Sequence, residues 1–125
     1  MLEVFTWSYM LTFTAEKCGW DAYQPITLPA FDIRNPIDCE AARKYVGRID
    51  PDFVALAQCC TPWLVMQQMN QRTPHQCREL RIKQEEGRDL LCFTEKLVYY
   101  QADRHRAVIS ESPQRALSWN GPPML

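Results

Sequence analysis

The sequence predicts one α/β domain with a largely parallel sheet, because segments typical of strands alternate with segments typical of helices. The most apolar run, residues 53–57, is typical of a buried parallel strand. The longest helical segment opens at Thr73-Pro74, where Thr73 can cap the helix and proline suits its first turn, and its apolar stripe continues to about Arg104. Gly87 lies inside this segment and weakens it by about 1 kcal/mol relative to alanine.

The remaining elements complete a five-strand prediction. Residues 2–6, 20–28, 31–33 and 107–110 are the other strands, and the second of them is interrupted by Pro25. A helix over residues 8–18 ends at Gly19, and another begins at Asn35-Pro36 and ends before Pro51. Residues 113–125 form a tail. In such a sheet, ligands collect at the carboxyl ends of the strands, here the loops after residues 6, 57 and 110.

Composition limits the protein class and its compartment. The chain has 125 residues, 46% hydrophobic and 23% charged, with a net charge of −1, which excludes a disordered chain and a polycation that coats nucleic acid. No apolar run approaches the ~20 residues of a membrane span, and no basic segment precedes the apolar start. The six cysteines form no CxxC pair, so we expect free thiols in a reducing, intracellular compartment.

No metal site is expected. Cys59, Cys60, His75 and Cys77 lack the paired spacing of zinc ligands. The basic residues near the start of the long helix are interleaved with glutamates, which favours a solvated face over a phosphate-binding patch.

Four short motifs carry a family resemblance. VFTWSYMLTF, FDIRNP, PDFVALAQCCTPW and VISESP follow one another like the landmarks of class I S-adenosylmethionine-dependent methyltransferases of the cytosine-C5 type. With Asn70-Gln71-Arg72-Thr73-Pro74 and the later Ser118-Trp119, the chain resembles more closely a methyltransferase-like module of retroelement polyproteins. This resemblance implies a Rossmann-like, methyltransferase-type sheet truncated after its fifth strand, with nucleic acid as a partner.

The resemblance also implies site residues. Cys60 matches the thiolate that adds to C6 of a pyrimidine, and Glu111 matches the acid that hydrogen-bonds the ring of the flipped base. Phe5, Trp7, Tyr9, Asp32 and Ile33 match the positions that hold S-adenosylmethionine. Cys60 and Glu111 should face one crevice with their tips within roughly 10 Å, because they follow adjacent parallel strands.

Departures from the family pattern change the expected function. Thr6-Trp7-Ser8-Tyr9 stands where the family has A-G-x-G, and only glycine lets the backbone approach a cofactor closely there. Thr27 stands where an acid would grip the ribose, and the chain ends before the family's later strands. We therefore expect a degenerate, non-catalytic structural or interaction module whose Trp7 and Tyr9 fill the cofactor space. The alternative is an active DNA cytosine-C5 methyltransferase.

Simpler interpretations stand beside each of these assignments. Cys60 can be an inert thiol, Glu111 a solvated acid, and Asp32 a turn residue. Trp7, Tyr9, Trp63 and Trp119 can pack in the core or at its rim. An early end of the sheet would leave an edge or an apolar face uncovered, so we expect a homo-oligomer or a flanking region of a larger polyprotein to cover it.

Overall fold

The computed structural model describes residues 1–6, 9–57, 61–69 and 72–111, and within these ranges the chain is a mixed α/β structure. The strands are β1 (Leu2–Val4), β2 (Phe53–Leu56) and β3 (Ala107–Ser110). The helices are α1 (Met10–Lys17), α2 (Pro36–Ile49), α3 (Val65–Met69) and α4 (Pro74–Asp103), with a 3-10 turn at Thr61–Trp63. The strands pair in parallel in the order β1-β2-β3, so the predicted parallel sheet with a central β2 is confirmed.

Two predicted strands are wrong. Residues 20–28 supply only one isolated parallel bridge, from Ile26 to Val4. The N–H groups that reach the β1 side belong to Ile26 and Tyr23, which are three residues apart and not the two that a regular ladder needs. Residues 31–33 form turns: Phe31 N donates to the Thr27 carbonyl, and Asp32 N donates to the Asp38 carboxylate. The described residues therefore form a three-strand sheet and not the five-strand sheet that the sequence predicted.

Strand β1 has a different neighbour on each of its two edges. Phe5 N donates to the Ile26 carbonyl, and Ile26 N donates to the Glu3 carbonyl. The Val4 carbonyl, in contrast, accepts from Ala57 N, just after β2. Alternate backbone groups of a strand point to opposite edges, so Ile26 and β2 lie on opposite sides of β1. From β1 the chain thus runs first to one neighbour and then crosses to the other. The carboxyl end of β1 is a topological switch point, where open α/β sheets bind ligands.

Helix ends follow the caps in the sequence. The Asn35 side chain accepts from Ile37 N at 2.9 Å and begins α2, whose C-cap, Asp50, adopts a left-handed conformation. Thr73 and Gln76 form a reciprocal capping box at the start of α4, with Pro74 in its first turn. Because both hydrogen bonds are made by residues three apart in sequence, this helix start could be predicted without tertiary information.

The core lies between one face of the sheet and two helices. Leu2, Val4, Val54 and Leu56 share that face by strand alternation and register. Helices α2 and α4 cover it with Ala42, Val46, Phe93 and Leu97. The opposite face carries Glu3 and Ala55 and is covered in part by α1, while Ile109 of β3 is 58% exposed there. One face of the sheet is therefore fully packed and the other only partly covered.

Gly87 allows α4 to contact Trp63. A Cβ built on Gly87 would lie 3.0 Å from Trp63 Nε1, and the Trp63 side chain is buried. This contact confirms core packing for Trp63 and explains a glycine in a helix interior. The glycine lowers helix propensity but permits a close approach of the indole.

Two glycine substitutions should separate these effects. Gly47 in α2 has open space around it, so Gly47→Ala should raise the free energy of unfolding by roughly 0.5–1 kcal/mol. We expect Gly87→Ala to give no such gain, because the new methyl group displaces Trp63. Urea denaturation of both variants measures the difference. Equal stabilisation by the two substitutions would show that Trp63 does not constrain α4.

Candidate ligand crevice at the carboxyl end of β1

A small pocket opens at the switch point beside β1. Its volume is about 140 Å³, and its lining includes Phe5, Asp32 and Ile33. The other lining residues come from the segment before α2 and from α4: Thr27, Leu28, Phe31, Arg34 and Leu90. The structure thus brings together three of the five residues that the resemblance assigned to the cofactor.

Phe5 is fixed in an uncommon backbone conformation at the floor of this crevice. Its φ is 62°, and its N–H donates to the Ile26 carbonyl at 2.8 Å. Its ring packs edge to face on Phe93 of α4, with ring centroids 5.9 Å apart. A left-handed conformation costs a non-glycine residue about 1–2 kcal/mol, which the pairing with Ile26 and the aromatic contact help to offset.

Asp32 is engaged by its own neighbour. Arg34 donates from Nε and Nη2 to the two carboxylate oxygens, each at 2.8 Å, and its backbone N–H donates at 3.1 Å. The Arg34 guanidinium hydrogen-bonded to Asp32 holds the pKa of that carboxyl below its ordinary value. The backbone N–H of Asp32 is used as well, since it donates to Asp38 Oδ2. A ligand at this place would have to compete with these intramolecular partners.

Tyr9 adopts a left-handed backbone conformation, which is more usual for glycine. It is the N-cap of α1 with φ 52°, and its N–H donates to Thr6 Oγ1 at 3.3 Å. This is the position at which the family pattern carries its second loop glycine. The side chain is 43% exposed, so the expected burial of Tyr9 over the end of β1 is wrong. Tyr9 is also not among the residues that line the crevice. Trp7, its expected companion, lies outside the described residues.

Glu3 is a buried acid near this site that the sequence analysis did not identify. It is only 3% exposed, and Oε2 of its carboxylate accepts from Thr12 Oγ1 at 2.7 Å and from Thr12 N at 3.0 Å. Tyr9 makes no side-chain cap on α1, so Glu3 supplies the acceptor that the helix start lacks. The available signal was an acid inside an apolar strand, where strand alternation turns it away from the core.

Of the two residues assigned to chemistry on the flipped nucleobase, the structure describes Glu111 only. Glu111 is exposed, and its backbone N–H donates to the Leu56 carbonyl at 2.9 Å, which places it beside the end of β2. Cys60, the assigned nucleophile, lies outside the described residues, and its separation from Glu111 stays a prediction. Arg78, Arg81, Lys83 and Arg88 are exposed on α4, as expected for a solvated face.

The described ranges contain no group of three or more His, Cys, Asp or Glu side chains placed to share a metal ion. Within the same ranges, every helix is too short or too polar to cross a bilayer.

Comparison with known proteins adds no relative. No family model, no curated protein and no solved structure matches this chain.

Proposed function

We propose that this chain is a methyltransferase-like domain of Rossmann-like descent that has lost its cofactor site and acts as an interaction module. The observation that carries the proposal is the size of the crevice at β1. As bounded by the described residues, its volume is about 140 Å³, well below the ~300–1,000 Å³ of pockets that enclose small molecules. S-adenosylmethionine, with its adenosine and methionine parts, needs a pocket of that larger class.

Two sets of hydrogen bonds and one backbone conformation support the loss of the cofactor site. The Asp32 carboxylate is held by Arg34, and the start of α1 is hydrogen-bonded by Glu3. Tyr9 adds a side chain at a left-handed position that the family gives to glycine. Groups that would receive a ligand in a nucleotide-binding crevice are thus satisfied within the chain.

The path of the chain supports descent from the methyltransferase fold. Ile26 and β2 flank β1, and β3 follows β2, which is the spatial order around a switch point in doubly wound sheets. This order is common to doubly wound sheets, so the proposed place of the domain in an intracellular retroelement polyprotein rests on the motif resemblance alone.

Calorimetric titration with S-adenosylmethionine tests the loss of binding. We expect no saturable heat from the wild-type chain, because the crevice is too small and Asp32 is engaged. The paired variant Trp7→Gly, Tyr9→Gly reports whether loop bulk alone blocks the site, and its melting temperature controls for folding. Saturable micromolar binding by the wild type would overturn the proposal.

The exposed surface of α1 supports the interaction role. Met10, Leu11 and Phe13 are each more than half exposed on this short helix. Met10 and Phe13 are neighbours one turn apart on the helix, and the Lys17 ammonium lies 4.3 Å from the centroid of the Phe13 ring. Exposed apolar surface of this kind marks interaction sites, and a net charge of −1 gives little repulsion between copies. We infer that a second copy of this chain covers this surface, which we call the α1 patch (Met10, Leu11 and Phe13).

Sedimentation velocity at several concentrations tests this inference. The wild type should form a dimer as concentration rises, and Leu11→Asp with Phe13→Asp should give a monomer. Ile37→Asp is the matched control, because Ile37 is exposed on α2 outside the α1 patch. A wild-type monomer at every concentration would contradict self-association through α1.

One observation favours a second candidate, a DNA cytosine-C5 methyltransferase. The hydrogen bond from Glu111 N to the Leu56 carbonyl sets this acid beside the strand that leads to Cys60. Transfer of a labelled methyl group from S-adenosylmethionine to DNA, abolished by Cys60→Ala, would establish this activity. We expect no transfer.

A further inference from the structure

A second cavity lies between α2 and α4. Its volume is about 360 Å³, and Arg43, Val46, Phe93, Lys96, Leu97 and Tyr100 line it. None of these residues lines the crevice, although a further pocket that contacts both Ile33 and Lys96 connects the two sites. The volume lies within the ~300–1,000 Å³ range of small-molecule pockets. We call this cavity the interhelical groove.

The groove has an apolar floor with cations on both sides. Val46, Phe93 and Leu97 are buried core residues, whereas Arg43 comes from α2 and Lys96 from α4. Arg43 has one weak ion pair, with Glu40 at 4.0 Å on the surface of its own helix. Among the described residues no carboxylate lies within ion-pair distance of Lys96. Asp89 lines the adjoining pocket with Arg43 and Lys96 but is not within ion-pair distance of either. Two cations thus border one apolar cavity without a close carboxylate partner in it.

Tyr100 supplies a hydroxyl that has no partner. Its Oη is buried and makes no hydrogen bond with any described residue. Lys96 and Tyr100 are one helical turn apart on α4, and the Arg104 guanidinium lies over the Tyr100 ring, 4.4 Å from its centroid. Buried hydroxyl groups are normally satisfied, which makes this one a donor that awaits an acceptor.

We propose that the interhelical groove binds a carboxylate with an apolar body, such as a medium-chain fatty acid. The carboxylate pairs with Arg43 and Lys96, and the hydrocarbon packs on Val46, Phe93 and Leu97. The Tyr100 hydroxyl is closed to the empty groove, so the Tyr100 ring shifts on binding and its hydroxyl donates to the carboxylate. Such a ligand would neutralise the two cations, give the hydroxyl an acceptor and fill the apolar cavity. It is independent of the proposed function, because it shares no lining residue with the crevice.

Calorimetric titration of the full chain with decanoate tests the proposal. Decanol and decyltrimethylammonium have the same hydrocarbon without the anion, so both should bind at least about tenfold more weakly. Tyr100→Phe should weaken decanoate binding about fivefold without lowering the melting temperature, because it removes only an unpaired hydroxyl. In NMR spectra, decanoate should shift the methyl signals of Val46 and Leu97 and leave that of Ile33 in place.

A pair of double variants provides the charge control. Arg43→Gln with Lys96→Gln should weaken decanoate binding about tenfold or more. Lys44→Gln with Lys83→Gln removes the same charge from exposed positions on the same two helices and should leave binding unchanged. Absence of saturable binding, equal affinity for the three head groups, or equal losses in the two double variants would overturn the proposal.

Discussion

Replacing Gln101 by glutamate should lower the free energy of unfolding by about 3–5 kcal/mol at neutral pH. Gln101 is fully buried, and its Nε2 donates to the carbonyls of Pro51 at 3.0 Å and Ala107 at 3.4 Å. These carbonyls precede β2 and begin β3, so one side chain of α4 ties two strands together. Glutamate has the same shape but directs a charged acceptor at two acceptors.

The pH dependence identifies the cause. Burial without a donor raises the pKa of a carboxyl group, so Gln101→Glu takes up a proton on folding as pH falls. Its penalty is therefore full above the folded-state pKa and decreases toward the unfolded value near ~4.3. The protonated group can again donate to Pro51. Denaturation at several pH values measures this, with Gln101→Met as the control that loses the donor and gains no charge. A penalty equal for both variants at all pH values would refute the explanation.

Truncating Leu56 should cost about 2–5 kcal/mol. Leu56 is 2% exposed on the central strand, where it packs in the cluster formed with α2 and α4. Leu56→Ala leaves a cavity that the parallel strands on both sides prevent from closing. Ile109→Ala in β3 is the matched control and should stay within about 0.5 kcal/mol, because that side chain is mostly exposed. Comparable losses at the two positions would contradict the packed and open faces described here.

Sequence reasoning succeeded where the signal is local or strongly apolar. Strand β2 follows from its run of apolar residues, and α4 follows from Thr73, Pro74 and the stripe beyond them. It failed at residues 20–28 and 31–33, where β-forming residues occur but the hydrogen bonds go elsewhere. Ile26 alone pairs with β1, and the turn before α2 uses the backbone of Phe31 and Asp32. The short helix α3 was not foreseen, since five residues carry too little periodicity.

The candidate site was predictable in part for similar reasons. Phe5, Asp32 and Ile33 were named from motif order, and the switch point at β1 brings them to one pocket. The engagement of Asp32 by Arg34 and of Thr12 by Glu3 could not be predicted, because both depend on the folded geometry of side chains. The interhelical groove has no sequence motif at all. It arises from the spacing of α2 and α4 over the sheet.

The parallel sheet has a consequence for the order of folding. Leu2 pairs with Val54, and Phe53 pairs with Ala107, so each strand pairing joins positions about fifty residues apart along the chain. No hairpin can nucleate such a sheet, whereas α4 carries its own start signal and 30 residues of local hydrogen bonds. Helix formation should therefore precede strand pairing in refolding, with helical circular dichroism recovered before the core aromatics are buried. We expect the sheet to form last and its long-range pairing to make folding cooperative.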